Sequence, residues 1–198
     1  MWAVIGLGNP GKTYTGTRHN MGFAFVKDVA KSMNAKLKKR RDLSKTVLVD
    51  MDDNRVLLVL PQTYMNLSGS AVMRILDQRE ISPSHMVVVY DDMDISLGEI
   101  RIRKEGRAGS HRGMKSVVQA VGTTKFPRIR MGIGPLPPGR DASDFVLSHF
   151  LRREQPLVRR SIQKARDALE MVLSGDIEGA MNTYNQRNRI EKESIELS

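Results

Sequence analysis

Trp2-Ala-Val-Ile-Gly-Leu-Gly-Asn-Pro-Gly-Lys-Thr-Tyr-Thr-Gly-Thr-Arg-His-Asn-Met-Gly22 is the stretch on which the reading of the whole chain turns. Its apolar start, residues 2–5, predicts a buried first strand. The run stops at Gly6-Leu7-Gly8-Asn9-Pro10-Gly11, where three glycines and a proline in six residues force a sharp turn. A polar loop then carries Tyr14, Arg18, His19 and Asn20 to the start of a helix. A strand end that delivers such side chains in quick succession has the pattern of a site on a rigid scaffold.

The spacing Gly6-x-Gly8-x-x-Gly11 after a strand also matches a dinucleotide-binding fingerprint. That fingerprint needs a helix opening inside the glycines, with its N-terminus facing a pyrophosphate. Residues 12–18 lack apolar periodicity, and no second strand ending in Asp or Glu follows about twenty residues later. A nucleotide-dependent oxidoreductase is therefore a poor reading.

With 198 residues, 40% of them hydrophobic and 27% charged, the chain suits one soluble domain with a substantial core. No apolar run reaches the length of a membrane span, and the N-terminus lacks the layout of a signal peptide. Zero cysteines exclude disulfides and thiolate chemistry and fit a cytoplasmic address. The four histidines form no zinc-binding pair. The net charge of +10 is more informative, because its basic residues cluster. One group is Lys36, Lys38, Lys39, Arg40 and Arg41. Another runs through Arg101, Arg103, Lys104, Arg107, Arg112 and Lys115, and a third holds Lys125, Arg128 and Arg130. Such patches are the footprint of a nucleic-acid binder, and the scarcity of Phe and Tyr points to phosphates rather than stacked bases.

Helical spacing covers residues 21–34, with Asn20 as N-cap. Strands are expected at 46–50 and 55–60 around a polar turn, then a loop at 61–69 and a helix over 71–81. Residues 86–90 form the clearest strand, β-branched and apolar as in a sheet covered on both faces, and it is expected to end at Asp91-Asp92-Met93-Asp94. An alternating basic strand over 99–104, a glycine-rich loop, a helix over 114–121 and a strand over 128–132 follow. An amphipathic helix over 156–173 turns Leu157, Ile162, Ala165, Leu169, Val172 and Leu173 inward, and a short helix spans 177–184. The alternation gives an α/β fold: one compact domain over 1–185, a mixed central sheet with helices on both faces, and a charged, frayed tail over 186–198. Ligands of such sheets lie at the carboxyl ends of strands, where the motifs after Ile5, Leu60 and Tyr90 can converge.

No serine sits in a nucleophile elbow, so covalent catalysis has little support. What remains is a histidine to activate water, a carboxylate to orient it and asparagine amides to stabilise an oxyanion, a set suited to general-base ester hydrolysis. In these motifs the chain resembles bacterial-type peptidyl-tRNA hydrolase. The matching segments are Gly6 to Gly11, Tyr14, Thr17-Arg-His-Asn-x-Gly22, Thr63-Tyr-Met-Asn-Leu-Ser-Gly69 and Asp91-Asp-x-Asp-x-x-x-Gly98, followed by Lys115-Ser116, Phe126-x-Arg-x-Arg-x-Gly-Ile-Gly134 and Ala180-Met-Asn182.

The resemblance implies cleavage of the ester joining a peptide to the terminal ribose of tRNA, by a monomer needing neither cofactor nor metal. It implies His19 as general base, Asp91 as the group holding its tautomer, and Asn9 at the substrate carbonyl. Asn66 would meet the peptide backbone, while Met65, Tyr14 and Tyr64 shape the groove. Arg103 and Arg130 would take a tRNA phosphate, for which guanidinium forks are suited. Asp91, Asp92 and Asp94 could alternatively hold a divalent cation. One departure is His111-Arg112-Gly113, where the family usually has His-Asn-Gly. Arg112 cannot accept a hydrogen bond, so the asparagine's role does not transfer, although the guanidinium can add a contact to substrate. This leaves a non-hydrolysing relative that binds RNA or a protein partner as the alternative. Phosphate-dominated binding predicts that tRNA affinity falls linearly in log–log terms as salt rises, read by filter binding at several ionic strengths; salt-independent affinity would refute it.

Overall fold

The computed structural model describes residues 1–39 and 43–185, so Arg40, Arg41 and the tail at 186–198 lie outside the described residues. Among the described residues a seven-stranded sheet runs in the order β2 (Lys38–Lys39), β3 (Ser44–Met51), β4 (Asn54–Pro61), β1 (Trp2–Gly6), β5 (Met86–Ser96), β7 (Arg128–Gly134), β6 (Ile100–Arg103). The central strands β4, β1, β5 and β7 are parallel, and antiparallel pairs close both edges. The sheet is therefore mixed, as the alternation of strands and helices predicts.

The pleat divides the first strand between two cores. Val4 faces one cluster, built with Phe25, Val26 and Leu169, while Ala3 and Ile5 face the other, built with Val72, Ile75 and Val117. Helices α1 (Met21–Ser32), α4 (Ala142–Leu147), α5 (Gln155–Leu173) and α6 (Ile177–Tyr184) thus cover one face. Helices α2 (Ser68–Arg79) and α3 (Arg112–Val121) cover the other. Both faces of the central strands are dry, which is why residues 86–90 read as one apolar run.

The glycine pattern after β1 serves packing. A Cβ on Gly6 would overlap the carbonyl of Gly22, and one on Gly22 would overlap the carbonyl of Val89 and the backbone of Leu7. Gly8 lies against the ring of Phe23. Helix α1 can therefore begin flush against the strand ends, and the glycines leave no phosphate-binding helix start of the dinucleotide kind.

Several expectations are corrected. Strand β5 does not end at Tyr90 but continues through the acidic run to Ser96, because Asp91 and Asp92 pair with Met131 and Gly132 of β7 before a register shift. Asn20 does not cap α1 with its side chain. Leu157 is 39% exposed rather than inward; its neighbour Val158 takes the core position, with Ser161, Ala165 and Ala168 continuing that face. Helix α2 opens at Ser68, after a 3₁₀ turn at Met65–Leu67 within the expected loop. Helix α4 was not legible: six residues carry too little periodicity, and it is started by Asp141, whose carboxylate accepts the backbone N–H groups of Ser143 and Asp144.

Gly22→Ala tests the packing constraint. With backbone on every side of the new methyl, it should cost roughly 1–3 kcal/mol, lowering Tm by about 2–12 °C in a calorimetric scan; an unchanged Tm would mean that α1 can retreat from the sheet.

Candidate active site

The site lies at the carboxyl ends of the parallel strands β1 and β5. Beyond β1 the chain is pinned to its neighbours, Leu7 N–H donating to the Val89 carbonyl at 2.9 Å and Phe23 N–H to the Leu7 carbonyl at 3.2 Å. The loop between is closed by a reciprocal pair of bonds. Asn9 N–H donates to Asn20 Oδ1 at 2.7 Å, and Asn20 Nδ2 donates back to the Asn9 carbonyl at 3.0 Å. Asn9 Oδ1 in turn accepts Met65 N–H at 2.8 Å, tying in the segment after β4. A backbone N–H can only donate, so the oxygen of the Asn9 amide is taken and its Nδ2 is left as a donor.

His19 stands in a 3₁₀ turn, Arg18–Asn20, immediately before α1. Its Nδ1 lies 2.9 Å from both carboxylate oxygens of Asp91, which is 2% exposed. The second oxygen-bound ring is His111, whose Nε2 is 3.1 Å from Asp91 Oδ1. His111 Nδ1 accepts Met114 N–H at 3.1 Å and so caps α3. That bond fixes the tautomer: Nδ1 bears the lone pair, hence Nε2 bears the proton and donates to Asp91. Burial alone would push the Asp91 carboxyl up, but the electrostatic pull of the His19 and His111 rings and their hydrogen bonds outweigh it and hold the group well below the usual carboxylate range. With Asp91 ionised, His19 presents Nδ1–H to it, and its Nε2 lies on the opposite edge of the ring.

A cavity of about 460 Å³ opens beside these rings. His19, Asp91 and His111 line it, with Arg103, Arg107, Arg112 and Arg130 around its mouth and Ala142, Ser143 and Val146 of α4 as one wall. Arg112 is exposed at the first position of α3. Arg130 is already paired with Asp92, Nε to Oδ2 at 2.6 Å, so its charge is partly spent. Arg103 gives NH1 to its own strand, bonding the Ile102 carbonyl at 3.0 Å. Arg128, grouped in sequence with the surface cations, is 1% exposed instead. Its guanidinium bonds the carbonyls of Gly106 and Thr124 at 2.8 Å each and lies 4.4 Å from the centroid of Phe126. It is part of the scaffold.

Tyr14, Tyr64 and Asn66 do not line this cavity; they belong to the neighbouring surface reached through Asn9 and Met65. Tyr14 and Tyr64 meet edge to face at 6.5 Å, and Tyr64 and Asn66 are exposed. Met65 is buried at 4% exposure, and a Cβ on Gly113 would overlap its sulfur, so it supports the groove from beneath rather than walling it.

The acidic run does not converge on a cation. Asp91 faces the histidines, Asp92 faces Arg130, and Asp94 is exposed. His19, Asp91 and His111 do place ligand-type atoms within 4.8 Å of one another. Yet a metal on His111 Nε2 would require a proton on Nδ1, where the Met114 N–H already points. The donor set fits two ring N–H groups on one carboxylate.

A family model described as Peptidyl-tRNA hydrolase matches residues 3–193. The chain belongs to the peptidyl-tRNA hydrolase family. Peptidyl-tRNA hydrolase of Chloroflexus aggregans is 43% identical over 186 residues, covering 93% of this chain and 99% of that protein. The enzyme of Thermotoga petrophila is 46% identical over 182 residues, covering 92% and 96%. The crystal structure of peptidyl-tRNA hydrolase from Acinetobacter baumannii superposes with a TM-score of 0.87 at 32% identity, covering 93% of this chain and 94% of that one.

Sequence reasoning placed Asn9, His19 and Asp91 together but missed two polar partners. In the sequence Asn20 reads as a helix cap, and His111 as part of the polar motif Gly109-Ser110-His111-Arg112-Gly113 with no partner of its own. The pattern His111-Arg112-Gly113 before a helix was the available signal, since a side chain just before a helix can cap it. Two predictions follow from Asp91. His111→Phe keeps the ring volume but orphans Met114 N–H and one Asp91 lone pair, and should cost about 1–3 kcal/mol in urea titration. Because the folded-state pKa of Asp91 is lowered, its contribution to stability is fully present above the ordinary carboxylate pKa of about 4 and is lost as pH falls through the folded value. The Tm gap between wild type and Asp91→Asn should therefore narrow below about pH 4; a gap that widens there would be contrary to this assignment.

Proposed function

We propose that this chain hydrolyses the ester between a peptide and the terminal ribose of tRNA, with His19 as general base and no covalent intermediate. The observation that carries the proposal is the bond from His19 Nδ1 to both oxygens of the buried Asp91 carboxylate. Held this way, His19 Nε2 takes a proton from water as the water oxygen attacks the ester carbonyl. The negative charge formed on the carbonyl oxygen needs donors, and Asn9 Nδ2 is the amide donor left free by the Asn9–Met65 bond. The imidazolium then returns its proton to the departing ribose oxygen, releasing peptide acid and tRNA. Asp91 stabilises the transient imidazolium without itself being protonated.

The surrounding residues divide between the two halves of the substrate. The exposed Asn66 amide and the Tyr14–Tyr64 pair suit a peptide, one offering donor and acceptor and the other apolar faces. The arginines at the cavity mouth, with Arg103, Arg130 and Arg112 foremost, suit phosphates of the tRNA acceptor end. The proposed working unit is a monomer. Among the described residues no helix is long and apolar enough to cross a membrane.

His19→Ala should lower kcat by about 10²–10⁴-fold while leaving the circular dichroism spectrum and tRNA affinity nearly unchanged. The assay is release of N-blocked amino acid from an N-acyl-aminoacyl-tRNA, with the free-amine form alongside. Full rate in the variant would remove His19 from the chemistry.

A further inference from the structure

The residue before His19 is anchored more thoroughly than a loop arginine needs to be. Arg18 is 5% exposed, and its NH2 donates to both oxygens of Glu154 at 2.9 and 2.7 Å. NH1 donates to the Ile133 carbonyl at the end of β7 at 3.3 Å, and Nε to Ser148 Oγ at 3.4 Å. The guanidinium also lies 4.8 and 4.7 Å from the ring centroids of Phe145 and Phe150. Its own backbone N–H bonds the Ser148 carbonyl at 2.9 Å. Glu154 is held in turn by Leu151 N–H at 2.7 Å. Burial opposes ionisation of this carboxyl, but the hydrogen bonds from Arg18 and Leu151 and the Arg18 charge keep its pKa lowered.

These contacts join three parts of the molecule at one side chain: the turn that carries His19, the end of β7, and the segment from α4 to α5 whose first residues wall the cavity. An apolar residue would attach the loop to the core with no charge to desolvate. The guanidinium adds direction, since NH2, NH1 and Nε bond three different partners, Glu154, Ile133 and Ser148, and together fix the plane of the group. Direction matters at the next residue, where His19 Nδ1 sits equally far from two carboxylate oxygens.

We propose that Arg18, clamped by Glu154, is a positioning residue of the hydrolysis: it sets the turn so that His19 meets Asp91, and it fixes the α4 wall to that same turn. The inference rests on the reading of His19 as general base. Misplacement by about 1 Å far from the chemistry can cost 10²-fold in rate.

Arg18→Lys keeps the charge and loses the planar set of three bonded nitrogens, whereas Glu154→Gln keeps the guanidinium with its other bonds and removes the counter-charge. In each folded variant kcat for N-acyl-aminoacyl-tRNA should fall at least tenfold with KM within twofold. The NMR signal of the His19 ring N–H proton, expected in the wild type from its bond to Asp91, should weaken or vanish, while that of His111 persists. The double variant should be no slower than the worse single one, since the pair acts as a unit. Should Arg18→Lys not fold, Glu154→Gln decides by the same readouts. A lowered Tm with kcat per folded molecule unchanged would overturn the proposal and leave Arg18 a structural anchor. Loss of the His19 signal without loss of kcat would equally overturn it. Full activity of His19→Ala would instead strike at the base reading, a failure distinguishable from either of these.

Discussion

The buried carboxylate of Asp91 is the constraint from which the rest of the site follows. A charge held out of water must be answered by donors, and here two imidazole rings supply them, His19 through Nδ1 and His111 through Nε2. Neither ring is near Asp91 in the chain. Meeting this requirement brings the loop after β1 and the start of α3 to the middle of β5, with the cavity between them. One ring has its far nitrogen spent on a helix cap, and the other lines the cavity. The same carboxylate therefore gives two histidines different tasks.

The second constraint is steric. Gly6 and Gly22 meet backbone to backbone, and Gly22 also abuts the Val89 carbonyl, so the strand end, the loop and the start of α1 are held within contact distance of one another. Side-chain bonds then take over where backbone packing stops. The Asn9–Asn20 pair closes the loop, Asn9 reaches Met65, and Arg18 reaches Glu154 and the rings of Phe145 and Phe150. A loop of mostly polar residues is thereby tied at several points to the elements around it.

Charge is distributed by burial rather than by sequence cluster. The arginines of the 101–112 and 128–130 stretches look alike in the chain, yet Arg128 is sealed among carbonyls, Arg130 is paired with Asp92, and Arg112 is exposed at the cavity rim. Only those at the rim can release counterions from a tRNA phosphate. Arg112 places an additional full charge on the lining of the cavity that His19 and His111 share.

The sequence by itself determined the family, the alternation of strands and helices, and the principal polar residues, because those depend on local periodicity and on motifs carried within short segments. The contact between His19 and Asp91 that the resemblance implies is present in the structure. The sequence could not tell that β5 runs on through the acidic residues, since pairing with β7 is a long-range contact that overrides turn-forming composition. Nor could it show that Met65 faces inward, that Leu157 yields its core position to Val158, or that Asn20 bonds Asn9 instead of capping α1. The role of His111 and the clamp between Arg18 and Glu154 were likewise decided only by the tertiary structure. Hydrogen bonds between residues 20 and 136 positions apart leave no periodic trace in a chain, and they exist only once the sheet has brought their elements together.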